Sequence, residues 1–398
     1  MNRTPSGPSP HPDLHSGPGL HQRLAALRQQ GPVVPARLHG RLPVWVVTTA
    51  DAVAAALTDP RLSSDDRWLH TGNAPPGEAR SSVKLSIMGL EGLDHERVRR
   101  IIGRPFSRPN VDRQRPRIQH LTDTLVERVA QRLDQGETVD LAREVALPLP
   151  LHITGDMIGL TATERDGVHR LVRRQLDPGA PPEVREDARR ELRGCIDHLI
   201  GRSHAVEGTL AGALADGRLT RAEAVDAGVL LLVAGYETSA ALLASTLLTL
   251  LDPRSRYQAL SRDPALVPRA VEEVLRMQGP VAIGVTRYTI NEVTLDGVRI
   301  PAGQRVLLSL GAADRDPDRC PHPDRYDPTR TPQRTFALGH GRHYCLGAHL
   351  ARLQVTLAVA ALTRRVPRLT LAEPADQLPQ LSGVFHGPAR LPVRTTTQ

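Results

Sequence analysis

Apolar residues recur at intervals of three and four along most of this chain, the period of helices that bury one face. The spacing predicts helices over Gly19–Gln30, Asp51–Thr58 (capped by Asp51), Val111–Leu133, Pro182–Leu210 and Asp263–Met277. A longer apolar helix ends near Leu251, and Thr220 with Glu223 forms a capping box at its start. Another follows Cys345, where Leu346, Leu350, Leu353 and Leu357 share a face. Alternation is rarer. Val44, Val46 and Val47 mark a small sheet within Pro35–Thr49, Val293–Val298 reads as a strand, and Ile300–Val306 as a turn into a strand. Leu378–Val393 reads as a hairpin with Ser382–Gly387 at its tip. Prolines break the pattern at Pro148, at Pro150 and across Asp177–Pro182. Arg61–Leu90 and the Pro-, Ser-, Gly- and His-rich start follow neither period. The fold class expected is mainly α with small β-sheets, with a disordered tail over 1–18 and a single domain over 19–398.

Composition narrows this picture. Aromatic residues make up 3% of the chain, so a binding pocket here is expected to be aliphatic. The formal charge of +8 comes from arginine, since Lys84 is the sole lysine. Those arginines are spread through helical segments and do not form one basic tail, which argues against nucleic acid as partner. Three cysteines, Cys195, Cys320 and Cys345, fit a reducing compartment without a disulfide framework. The N-terminus lacks the apolar core of a signal peptide. Ala227–Leu251 is apolar but carries Glu237 and small polar residues midway, so it reads as a buried helix and not a membrane span. A cytoplasmic, monomeric protein is expected.

The candidate chemistry centres on Phe336–Arg352, where Cys345 sits between a glycine-rich loop and a helix start. Backbone N–H groups and the positive end of a helix dipole favour thiolate at such a place. Gly339, Gly341, His343, Cys345 and Gly347 carry the resemblance: the stretch is similar to the cysteine-ligand loop of the cytochrome P450 haem-thiolate monooxygenases. The family's usual Phe, seven before the Cys, is Leu338 here. A Leu keeps that site apolar and bears on the redox potential.

The resemblance extends over nearly the whole chain, with the motifs in the family's order. It implies the cytochrome P450 fold, with haem b between a long central helix and the Cys345 loop. It makes His95 and Arg99, one helical turn apart, and Arg287 donors to the haem propionates, a task suited to charge-assisted hydrogen bonds. His343, Leu338, Gly339 and Gly347 would complete the cofactor's surroundings on the Cys side, and Ala234 and Gly235 on the helix side. Glu237 would relay protons and Thr238 would support oxygen activation. Independently, Gly235 and the Thr238 hydroxyl predict a local opening of that helix. Glu273 and Arg276 resemble the family's buried structural pair, with Arg325 or Arg330 as third partner. Met88, Leu231, Val281, Ile283, Val285 and Phe385 would shape the substrate pocket.

Electrons must come from outside, because the chain carries no flavin or iron–sulfur pattern. The family implies ferredoxin and ferredoxin reductase, and Arg97, Arg100, Arg104 and Arg342 are candidates to attract an acidic donor. The expected function is hydroxylation or epoxidation of a small organic substrate in natural-product biosynthesis. Two alternatives remain at this point: oxidative coupling of an aromatic or peptide substrate, and a non-catalytic haem sensor or scaffold. The Glu237–Thr238 pair argues against the last, since a sensor needs no proton relay.

Overall fold

The computed structural model describes residues 12–15, 17–38, 40, 42–69, 87–202, 209–331, 333–381 and 383–396. Most of the expected tail, most of the Arg61–Leu90 segment, Lys84 and Ser382 lie outside the described residues. The helices are α1 (Leu20–Gln30), α2 (Ala50–Thr58), α3 (Gly92–Gly103), α4 (Arg108–Asp134), α5 (Pro148–Ile158), α6 (Ala162–Leu176), α7 (Pro182–Arg202), α8 (Leu210–Ala215), α9 (Arg221–Leu251), α10 (Ser255–Arg262), α11 (Val267–Met277), α12 (Leu310–Asp314) and α13 (Ala348–Arg365). A π-helical turn, Ala142–Ala146, precedes α5.

A six-stranded sheet joins β1 (Asp13–Leu14), β2 (Val33–Leu38), β3 (Leu42–Val47), β4 (Leu62–Ser63), β6 (Val285–Thr289) and β9 (Arg305–Leu308), in the order β1-β2-β3-β9-β6-β4. β5 (Val139–Asp140), β10 (Leu369–Leu371) and β11 (Pro392–Thr395) form a second sheet, and β7 (Val293–Leu295) with β8 (Val298–Ile300) a two-stranded one. Within the expected tail, β1 pairs parallel to β2, so order begins earlier than composition suggested.

α9 is the central element. Its capping box is present, with Thr220 and Glu223 bonding each other's backbone N–H. It is long and apolar enough to cross a membrane, yet 61% of its most apolar stretch is buried inside the fold. It packs on α5 and α7 on one side and on α13 on the other. The expected opening at Gly235 is absent: the helix is continuous, and Thr238 Oγ1 donates to Ala234 O at 2.6 Å without displacing the ladder. A Cβ at Gly235 would stand 3.0 Å from Thr154 Cγ2, so this glycine lets α5 approach α9 closely.

One further expectation is corrected and one is refined. Asp51 does not cap α2; Thr49 holds the cap position, and the first helical N–H, from Ala50, donates to the Asp316 carboxylate at 2.7 Å. A distant acid thus does the work expected of a local one. Leu378–Val393 folds back on itself as a short, irregular hairpin: Leu381 N–H donates to Gly387 O at 2.8 Å and Ala389 N–H to Pro379 O at 2.7 Å around the antiparallel bridge Gln380 to Pro388. Pro379 and Pro388 lack N–H donors, which keeps the ladder short. The His386 N–H also ties the loop to Pro280 O at 2.8 Å.

Candidate active site

α3 and the loop before α13 converge on one buried point. His95 is 1% exposed, and neither ring nitrogen has a hydrogen-bond partner among the described residues. Such a group costs about 1–3 kcal/mol unless something satisfies it. Its ring centroid lies 4.4 Å from that of His343, whose Nε2 sits 3.3 Å from Ser64 Oγ. One turn on from His95, Arg99 donates to Tyr344 O at 2.6 Å. Arg287 enters from β6, buried, bonding Thr286 O at 2.9 Å. Burial pushes the pKa of both guanidinium groups down, and pushes His95 down to about 4. Two imidazoles and two guanidiniums therefore surround a space that calls for anionic oxygen.

Cys345 faces the same slot. Its loop is shaped by Gly339 and Gly341, with φ of 72° and 69°, a region only glycine enters freely. The Cys345 N–H donates to Leu338 O at 2.8 Å. Burial pushes the thiol pKa up, against the pull of the Gly347 N–H and of Arg352 and Arg99. The Gly347 N–H at the helix start thus pulls toward thiolate, as expected of this loop, and burial opposes it. Leu338, with its carbonyl held by the Cys345 N–H, packs its side chain against the main core.

The opposite wall is α9, where Leu231, Ala234, Gly235 and Thr238 face the slot. Glu237 does not line it. That side chain is buried behind the wall, with Oε1 unpartnered and the Tyr236 phenol beside it. Burial pushes the Glu237 carboxyl up, while the phenol's hydrogen bond pulls it down less.

Of the expected substrate residues, Met88, Leu231 and Val285 line the slot. Val281, Ile283 and Phe385 do not. Ile283 packs instead with Leu20, Leu24 and Ala312 between α1 and the sheet. The phenylalanine that reaches the slot is Phe106, which also lies 3.9 Å from a Cβ built at Gly347. Nothing in its local pattern set it apart; it follows α3 in a 3₁₀ turn whose direction depends on packing.

Beneath the Cys345 loop, Arg276 binds Glu273 through two hydrogen bonds of 2.9 Å. Of the two candidate partners, Arg330 is the one present, donating to Glu273 Oε1 at 3.1 Å. Arg276 also donates to Asp314 O at 2.9 Å. The buried Asp314 carboxylate in turn accepts from the Thr335 hydroxyl at 2.6 Å and from the Phe336 and Ala337 N–H groups at 2.8 Å each. This chain of bonds fixes the strand that leads into the Cys345 loop. On the outer face, Arg97 pairs with Glu223 and Arg342 with Glu91, whereas Arg100 is exposed.

These donors suit a flat group with two carboxylates on one edge and a metal that takes a sulfur ligand. The unpartnered nitrogens of His95 and the desolvated Arg99 and Arg287 accept the carboxylates, and Cys345 supplies the sulfur. The residues present fit haem.

Comparison with known proteins agrees. The family model "Cytochrome P450" matches residues 265–380. The chain is 35% identical to cytochrome P450 107B1 of Saccharopolyspora erythraea over 94% of each chain. It is 34% identical to the cytochrome P450 monooxygenase PikC of Streptomyces venezuelae, covering 99% of this chain and 97% of that one. Among solved structures, myxobacterial CYP267B1 in complex with myristic acid superposes with a TM-score of 0.86 at 33% identity, covering 95% and 96% of the two chains.

Proposed function

The chain belongs to the cytochrome P450 family and is a monooxygenase of that family; we propose that it holds haem b through Cys345 and hydroxylates or epoxidises a small organic molecule of a natural-product pathway. The observation that carries this reading is the buried, unpartnered His95 beside Arg99, Arg287 and His343, on the same slot as Cys345 and Thr238. When bound, haem supplies reductive activation of dioxygen.

The chain's own residues do the rest. His95, Arg99 and Arg287 bind the propionates and so fix the ring's rotation in the slot. The Gly347 N–H donates toward the Cys345 sulfur and tempers its charge. Leu231, Ala234 and Val285 present apolar surface, which excludes water from the reacting face. Thr238 keeps its hydroxyl anchored on Ala234 O with its lone pairs toward the slot. Glu237 holds a proton more readily than an exposed carboxyl, because burial disfavours its charge. In this reading it passes that proton toward Thr238, its neighbour on α9.

Two electrons per turnover come from a ferredoxin and its reductase, with the exposed Arg100 as the docking cation. The protein works as a cytoplasmic monomer of a single domain, which takes in β1 as well as the expected 19–398; its three free cysteines fit that compartment.

The test is the absorption spectrum of the reduced protein under carbon monoxide. Wild-type protein gives the thiolate-type band and Cys345→Ser loses it. A screen of natural products for the substrate-induced spin-state shift then finds a compound whose product gains one oxygen by mass. A Cys345→Ser variant that keeps the band overturns the ligand assignment.

A further inference from the structure

His95, Arg99, Gly103 and Phe106 are spaced by four, four and three residues, so they fall on one face of α3 and of the 3₁₀ turn, Arg104–Phe106, that continues it. Each meets the Cys345 loop, and in order. The His95 ring stands 4.4 Å from that of His343, centroid to centroid. Arg99 donates to Tyr344 O at 2.6 Å. A Cβ at Gly103 would lie 3.3 Å from Leu346 Cδ1, so this glycine lets the leucine side chain come in against the helix. Phe106 closes the series at Gly347: its Cδ1 and Cε1 lie 3.9 and 4.0 Å from where a Cβ on that glycine would stand. α3 therefore holds the loop at two positions before the sulfur and at two after it.

The phenyl ring offers no hydrogen bond, so what Phe106 adds at Gly347 is cover. It is half-buried and packs against the main core. The chain's other two phenylalanines, Phe336 and Phe385, do not line the slot. Gly347 has no side chain to shield its own amide, and that amide donates toward the Cys345 sulfur.

We propose that Phe106 is a positioning residue of the haem site: its ring lies over Gly347, keeps water from the sulfur side of the Cys345 loop and so sets the potential at which the site is reduced. This rests on the haem-thiolate reading above and adds to it a determinant that lies on α3, outside the Cys345 motif. The sign follows from charge. Reduction adds one negative charge at a sulfur-ligated metal, and water near the sulfur favours the more negative state, as a hydrogen-bond donor to that sulfur does. A covered sulfur holds the potential down, and an uncovered one lets it rise.

The variants to test are Phe106→Ala, which removes the cover, and Phe106→Leu, which keeps an apolar side chain there. Both are haem-loaded and titrated beside the wild type. At a fixed solution potential, Phe106→Ala should favour the reduced protein about tenfold, which is roughly 59 mV upward for a one-electron couple. Phe106→Leu should stay near the wild-type potential. Amide exchange read by mass spectrometry over residues 346–350 should quicken in Phe106→Ala and stay unchanged in Phe106→Leu. Both variants should keep the reduced carbon monoxide band, since Cys345 is untouched. A role in packing alone would lower the urea midpoint and leave the potential where it was. If Phe106→Ala fails to take up haem, Phe106→Val is read in its place. A wild-type potential or wild-type exchange in Phe106→Ala, or shifts of equal size in both variants, overturns the role given to Phe106 while leaving the monooxygenase reading intact. Wild-type protein without the carbon monoxide band overturns both.

Discussion

A second histidine cluster, away from the slot, makes a prediction that depends only on packing. His21 on α1 and His386 on the C-terminal loop both place Nε2 at 3.0 Å from one oxygen, Gln278 Oε1. Their rings meet edge to face at 4.9 Å. One carbonyl oxygen accepting from two imidazoles requires both to carry a proton on Nε2, so any further proton must go to Nδ1. Each Nδ1 is buried without a partner, and protonating either would bury a bare cation near Arg315. Burial, then Arg315, accordingly pushes His386 from 6.5 down to about 4, and His21 moves the same way.

The sign follows from which state binds more protons. Below 6.5 the unfolded chain takes up a proton at His386 that the folded protein refuses until about pH 4. Stability from this group is therefore complete above 6.5 and is lost as pH falls from 6.5 toward 4. Integrated from about pH 7.5 to about pH 5, that loss is roughly 2 kcal/mol for His386 alone. His386→Gln keeps a donor for Gln278 and removes the titration. Urea midpoints of the haem-loaded protein at the two pH values should show the variant losing about 2 kcal/mol less than wild type on acidification. Histidines outside this cluster titrate equally in both proteins and cancel in the difference, and His21 keeps its two larger influences, burial and Arg315. Parallel curves for wild type and variant would refute the reasoning, since the neutral pair would then contribute nothing to the pH dependence.

Three more outcomes follow from the site. His95→Leu should retain fold and lose haem, read as a raised haem dissociation rate into apomyoglobin, because a propionate would lose a buried donor worth about 1.5–3 kcal/mol. Glu273→Gln leaves Arg276 and Arg330 without their shared anion and should cost about 3–5 kcal/mol in a urea unfolding curve. Arg100→Glu should slow reduction by ferredoxin in stopped flow, with the difference shrinking as salt is raised; equal rates at low salt would remove Arg100 from the docking face.

How much of this was readable beforehand differs sharply between motif and wall. Cys345, Gly339, Gly341 and the His95–Arg99 pair were legible because each is constrained within a few residues. A positive φ demands glycine, and a one-turn spacing puts two donors on one face. The fold class was legible for the same reason, since α9 and α13 each announce themselves through a long apolar repeat. Side-chain direction at the slot is another matter. Ile283, before β6, was expected in the pocket, and α1 took it into a different core. Phe106 and Phe385 look alike in sequence, and only the path of the 3₁₀ turn after α3 brings the first of them to the slot.

Glu237 shows the limit most clearly. The Glu237–Thr238 pair was legible as neighbours on one helix, but which of the two reaches the slot was not. Thr238 lines it together with the adjacent pair Ala234 and Gly235, so neighbouring positions can share the wall, whereas Glu237 does not. The acid is buried beside Tyr236 instead, where desolvation raises its carboxyl pKa. That difference is set by the packing around α9 and has no signature in the order of the residues.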